Sequence, residues 1–81
     1  MTNEQKAIRA LVKVTVAVLE TLDEKGPAPD SVIYLGLSTI GMSLDNYYQL
    51  IGILLQHGYV TREHDLVTVT DKGRAKCREL R

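Results

Sequence analysis

Residues 41–60, GMSLDNYYQLIGILLQHGYV, constrain the fold more than any other stretch, because they bracket one helix between a start signal and a stop signal. Ser43 is a good N-cap, its hydroxyl oxygen placed to accept from an early backbone N–H, and Met42 before it can meet Tyr47 as a hydrophobic staple. The helix is therefore expected to begin near Leu44. Gly58 suits the left-handed backbone that ends a helix, and Tyr59 is placed to fold back on Leu54 in a Schellman closure. Helical periodicity puts Leu44, Tyr47, Leu50, Ile51, Leu54 and Leu55 on one side and Asp45, Gln49, Gly52 and Gln56 on the other. The first side is core; the second meets solvent or a partner.

Residues 2–25 read as a longer helix, opened by Thr2 and Gln5 at capping-box spacing and stopped by Gly26 and Pro27. The valines at 12, 14, 16 and 18 alternate with Lys13, Thr15 and Ala17, which is also a strand period. Length decides for helix, since a run this long without Gly or Pro exceeds an ordinary strand. Lys6, Arg9, Lys13, Glu20 and Glu24 form a narrow polar stripe, and Ile8, Leu11, Val18 and Leu22 are expected to face the core. That leaves a flank of small apolar residues, Ala7, Ala10, Val14 and Ala17, which another helix can approach closely. The C-terminal helix of the same chain and a second copy of the chain are equal candidates to cover it; the second predicts a homodimer.

Residues 26–29, GPAP, look like a stiff connector, with Pro29 in the first turn of a second helix and Asp30 complementing its positive end. Val32, Ile33, Leu37 and Ile40 mark that short helix, which stops at Gly41. Gly36 and Gly52 are read as admitting close helix packing. After Gly58 the period shifts to two: residues 59–62 and 66–70 read as strands joined by Glu63, His64 and Asp65, with Val67 and Val69 on one face. Thr70 then caps a last helix carrying Ala75, Cys77 and Leu80. The expected class is mainly α with a small β-hairpin (α+β): three helices, a two-stranded wing and a short C-terminal helix. At 81 residues and 44% hydrophobic composition, residues 1–81 form a single domain.

These residues resemble the winged helix-turn-helix superfamily. Gly41-Met-Ser43 is similar to the turn between its second and third helices, and Gly58-Tyr-Val60 to its exit into the wing. Val69-Thr-Asp-Lys-Gly73 resembles the end of its second wing strand. The resemblance implies a fold common among bacterial and archaeal transcription regulators, whose third helix enters the major groove of double-stranded DNA while the wing touches phosphate or minor groove. The same fold also serves as a protein-contact or dimerisation module.

Charge is distributed unevenly. Ten Lys and Arg balance ten Asp and Glu overall, yet residues 26–61 hold no Lys or Arg, while residues 62–81 hold six against four acidic residues. Gln49 is the residue of the third helix suited to an adenine edge, but Asp45 near its start would meet phosphate as a like charge. Arg62, Lys72, Arg74, Lys76 and Arg78 are the candidate phosphate contacts, joined by the Lys6, Arg9 and Lys13 stripe. His57, His64 and Cys77 show no metal-ligand spacing, and no phosphate loop or carboxylate pair stands out, so no enzyme activity, metal, cofactor or small-molecule ligand is expected. One cysteine, no signal pattern and no membrane-length apolar run lead to an expected cytoplasmic protein. The preferred reading is a small non-enzymatic regulatory module, acting as a homodimer with weak DNA binding through wing and tail; the alternative is a protein–protein interaction module that binds no nucleic acid.

Overall fold

Local capping sets the limits of most helices in the computed structural model, which describes residues 2–81. Helix α1 (Asn3–Lys25) opens with Thr2 Oγ1 accepting from the Gln5 N–H and Gln5 Oε1 accepting from the Thr2 N–H, each at 3.1 Å. It runs through the alternating valines and stops at Gly26, whose φ is +87°. Strand β1 (Ala28–Pro29) leads directly into α2 (Asp30–Ser38), and the turn at residues 39–43 leads to α3 (Leu44–Gln56). Ser43 Oγ caps α3 by accepting from the Asn46 N–H at 3.2 Å. The Gly58 N–H donates to the Leu55 carbonyl at 3.0 Å and the Tyr59 N–H to the Leu54 carbonyl at 2.9 Å, the paired bonds of a Schellman closure. Strands β2 (Val60–Glu63) and β3 (Leu66–Val69) follow, then α4 (Asp71–Leu80) under a Thr70 cap.

The molecule is thus mainly helical with one small antiparallel sheet in the order β1-β3-β2. The β2–β3 turn is His64-Asp65, with φ of +51° and +67°; two positive values suit a tight type I′ hairpin. Val18, Leu19 and Leu22 of α1, Leu37 of α2 and Tyr47, Leu50, Ile51 and Leu54 of α3 form the core. Val60, Val67 and Val69 of the sheet and Cys77 of α4 complete it. No described helix is long and apolar enough to cross a membrane.

Several expectations change. Ile8 and Leu11 are 60% and 48% exposed rather than core, and Leu44 in the first turn of α3 is 47% exposed. Twenty-three residues make α1 about 34 Å long, while the ten of α4 reach about 15 Å, so the first third of α1 runs past what packs on its second half. Val18 and Leu22 are buried as expected, and Thr15 and Leu19 complete the buried stripe of α1. Residues 28–29 are not mere connector: Ala28 pairs with Val67 and Pro29 with Leu66, making a third strand. Pro29 is extended, one residue before α2 rather than inside its first turn, and an edge strand tolerates its missing N–H. The hairpin strand β2 runs 60–63 rather than 59–62, so Glu63 belongs to the ladder, and β3 ends at Val69. Helix α2 ends at Ser38, with Gly41 closing the following turn at φ +89°.

Gly36 and Gly52 face open space, so neither admits a neighbouring helix. The close approach is at Gly73 in the first turn of α4, where an added Cβ would run into the Tyr59 carbonyl oxygen and come within 2.9 Å of Val69 Cγ2. Gly73→Ala should lower the unfolding free energy by about 2 kcal/mol through overpacking. Gly36→Ala and Gly52→Ala should each raise it by up to ~1 kcal/mol through helix propensity. Urea unfolding midpoints of the three variants check both signs.

Candidate functional site

Asp30 ties the start of α2 to α3 and to the hairpin. Its backbone N–H donates to the Asp65 carbonyl at 3.0 Å, anchoring α2 to the hairpin tip. Its Oδ1 accepts from the Tyr47 hydroxyl at 2.6 Å and from Arg62 Nη2 at 3.0 Å. Tyr47 is buried, and burial first, then the bond to Asp30, pushes its phenol well above its ordinary value. Tyr34 and Tyr48 flank Tyr47 in edge-to-face contacts at 5.7 and 5.6 Å. Between these rings, Leu44, Pro29, Ser31 and Asp65 lies a groove of about 550 Å³.

Most of the sequence-selected cations of residues 62–81 are engaged by other side chains of the chain. Arg62 is drawn to Asp30. Arg74 binds Asp23 at 2.7 Å and Asp71 at 2.8 Å, and Lys76 meets Glu79 at 3.3 Å. The Asp23 bond holds the Arg74 proton more tightly than usual. Lys72 lies over the Tyr59 ring at 5.7 Å, and that ring stacks on His57. Arg78 is exposed and, among the described residues, has no ion-pair partner within 4.0 Å. The hairpin tip beside Arg62 is acidic or neutral: Glu63, His64 and Asp65.

The small flank of α1 is only partly occupied. Helix α4 packs on a different side of α1, with Arg74 on Asp23, Arg81 on Glu20 at 3.0 Å and the Cys77 thiol 3.9 Å from the Val16 carbonyl. Ala7, Ala10 and Ala17 are exposed and Val14 is half-buried. Ala10, Leu11 and Val14 line a second groove, of about 350 Å³, with Met42, Asn46, Gln49, Leu50 and Ile53. Gln49 therefore sits beside the α1 flank. A third groove runs beside Ala17 and Thr21 of α1, with Val32 and Gly36 of α2 on its far wall. Among the described residues no three His, Cys, Asp or Glu side chains converge as a metal site requires.

No family model matches the chain, and comparison with curated proteins and with solved structures returns no significant match. Sequence reasoning missed Asp30, Tyr34 and Tyr47 as surface-organising residues. The available signal is Asp30 itself, the sole acidic residue of the second helix, whose position alone marks it as a helix-dipole partner.

Tyr47→Phe should remove a charge-assisted hydrogen bond and lower stability by about 2 kcal/mol near neutral pH. The raised phenol stabilises the fold fully below its ordinary value near 10, and that contribution is lost as pH climbs above it. Thermal melts should thus show wild-type stability falling steeply in that alkaline range, and a flatter profile for the Phe variant.

Proposed function

We propose that the chain is a winged helix-turn-helix module that works by protein contact, pairing with a second copy through the first half of α1 and presenting its α2–α3–hairpin face to another protein. The element order supports the fold reading: the three helices, the turn at residues 39–43, the hairpin, and a short strand after α1 laid against β3. One observation carries the functional reading. Elements α2, α3 and the hairpin expose Leu35, Ile40, Leu44 and Tyr48 together with Asp45, Glu63 and Asp65, and their one guanidinium is turned to Asp30. DNA binding draws most of its affinity from phosphate neutralisation, which an acidic and apolar face opposes. Exposed apolar clusters rimmed by polar groups mark protein contacts.

The self-pairing half rests on the overhang of α1. Ile8 and Leu11 are exposed beside Ala7, Ala10 and Val14, and this surface continues into the groove that ends at Ile53. A second α1 laid antiparallel across it would bury both sets at once, as a closed two-fold contact requires. Weak DNA binding by the rear of the molecule is the second reading. It is favoured by Lys6, Arg9, Lys13 and Arg78, which are exposed and have no ion-pair partner within 4.0 Å among the described residues.

Sedimentation should find a dimer that Ala10→Glu converts to a monomer still folded by circular dichroism, melting lower by the stability that pairing contributes; a wild-type monomer at high concentration rejects the pairing. A labelled duplex titrated at low salt should show at most weak binding, erased at higher salt and unaffected by Gln49→Ala. Sequence-selective binding weakened by Gln49→Ala would overturn the protein-contact reading.

A further inference from the structure

The groove among the α2 start, the α3 start and the hairpin tip combines two chemistries that share one kind of ligand. Tyr48, 52% exposed, and half-buried Tyr34 offer ring surface, with Leu44 as an aliphatic shoulder. Asp30 and Asp65 bring carboxylates to the same lining. Both side-chain partners of Asp30, Tyr47 and Arg62, sit on Oδ1, so Oδ2 has no protein donor among the described residues. Tyr47 is buried and serves to hold that carboxylate in place. No cation of the chain is among the lining residues, but Arg62 pairs with Asp30 from β2 and offsets its charge, so Asp65 is the lining carboxylate without an ion-pair partner within 4.0 Å among the described residues.

Aromatic faces attract cations through their quadrupole, and carboxylates add formal charge and hydrogen-bond acceptors. A planar guanidinium uses both, stacking on a ring while its edge meets a carboxylate, which a compact ammonium does less well. We propose that this groove receives an arginine side chain of a partner protein, with a neighbouring apolar residue of that partner packed on Leu44 and Tyr48. The assignment rests on the protein-contact reading, yet the groove can be tested without the natural partner. Asp45 and Glu63, exposed on the neighbouring ends of α3 and β2, extend the acidic field that would guide a basic partner to it.

The test is an amide NMR titration with methylguanidinium chloride against sodium chloride at equal ionic strength, then with a capped tetrapeptide of glycine, leucine, arginine and glycine. Saturable shifts at Tyr34, Leu44, Tyr48 and Asp65 are expected with methylguanidinium and with the peptide. Replacing the peptide's arginine by neutral citrulline should weaken binding about tenfold, the loss of one charge-assisted contact. Tyr48→Ala and Asp65→Asn should each weaken it about fivefold. Asp65 lies on the surface and Asn tolerates the positive φ of the turn, so the Asp65→Asn variant should keep its melting temperature, while Tyr48→Ala, which also loses the edge-to-face contact with Tyr47, should melt lower yet stay folded. Shifts no larger than with sodium chloride, or equal binding of the citrulline peptide, would overturn the proposal. Methylguanidinium binding without peptide binding would overturn the protein source of the cation. A partner captured on this face by a protein whose groove ignores arginine would keep the protein-contact reading and reject the arginine site; a groove that binds the peptide in a protein with no partner would do the reverse.

Discussion

One carboxylate oxygen holds the α2–α3–hairpin corner together. Asp30 Oδ1 accepts from Tyr47 on α3 and from Arg62 on β2, while the Asp30 backbone accounts for the hairpin tip through Asp65. The side chain is 16% exposed, so the two charge-assisted bonds act in a partly desolvated setting where they are stronger than in water. Removing one partner leaves the others incompletely satisfied, which couples the angle between α2 and α3 to the position of the hairpin. The groove beside them inherits its shape from that coupling.

The opposite end of the hairpin is held by backbone proximity instead of charge. The Thr70 N–H donates to the Tyr59 carbonyl at 3.0 Å, its hydroxyl donates to the Gly58 carbonyl at 2.6 Å, and the same oxygen accepts from the Gly73 N–H at 3.0 Å. One residue thereby closes α3's exit, the end of β3 and the start of α4. Gly73 must lack a side chain for α4 to lie this close to Tyr59. The Val69-Thr-Asp-Lys-Gly73 pattern has a mechanical reason here that is independent of any ligand.

Features legible in the sequence are those set by neighbours along the chain. The Thr2–Gln5 box, the Ser43 and Thr70 caps and the Gly58 closure each involve a few consecutive residues, and each stands in the structure at the expected position. Periodicity tells which side of a helix is apolar but not how far its neighbours extend, which is why Ile8, Leu11 and Leu44 look like core and are exposed. Strand β1 was hidden because two residues, one a proline, carry no strand period; only pairing with Val67 and Leu66 makes them a strand. The Asp30 cluster joins residues 17 and 32 positions apart, beyond the reach of any local pattern.

Counting basic residues in the tail overstates the charge available to a polyanion. Arg74 and Arg81 reach across to Asp23 and Glu20 of α1 on either side of Cys77, and such exposed pairs contribute more to the alignment of two helices than to stability. Their charge is locally cancelled, as is that of Arg62 and Lys76. Lys6, Arg9 and Lys13 of α1 are exposed and have no ion-pair partner within 4.0 Å among the described residues. Acidic side chains and exposed leucine and tyrosine remain on the front, so a partner that is itself basic and partly apolar gains both Coulomb attraction and buried area there.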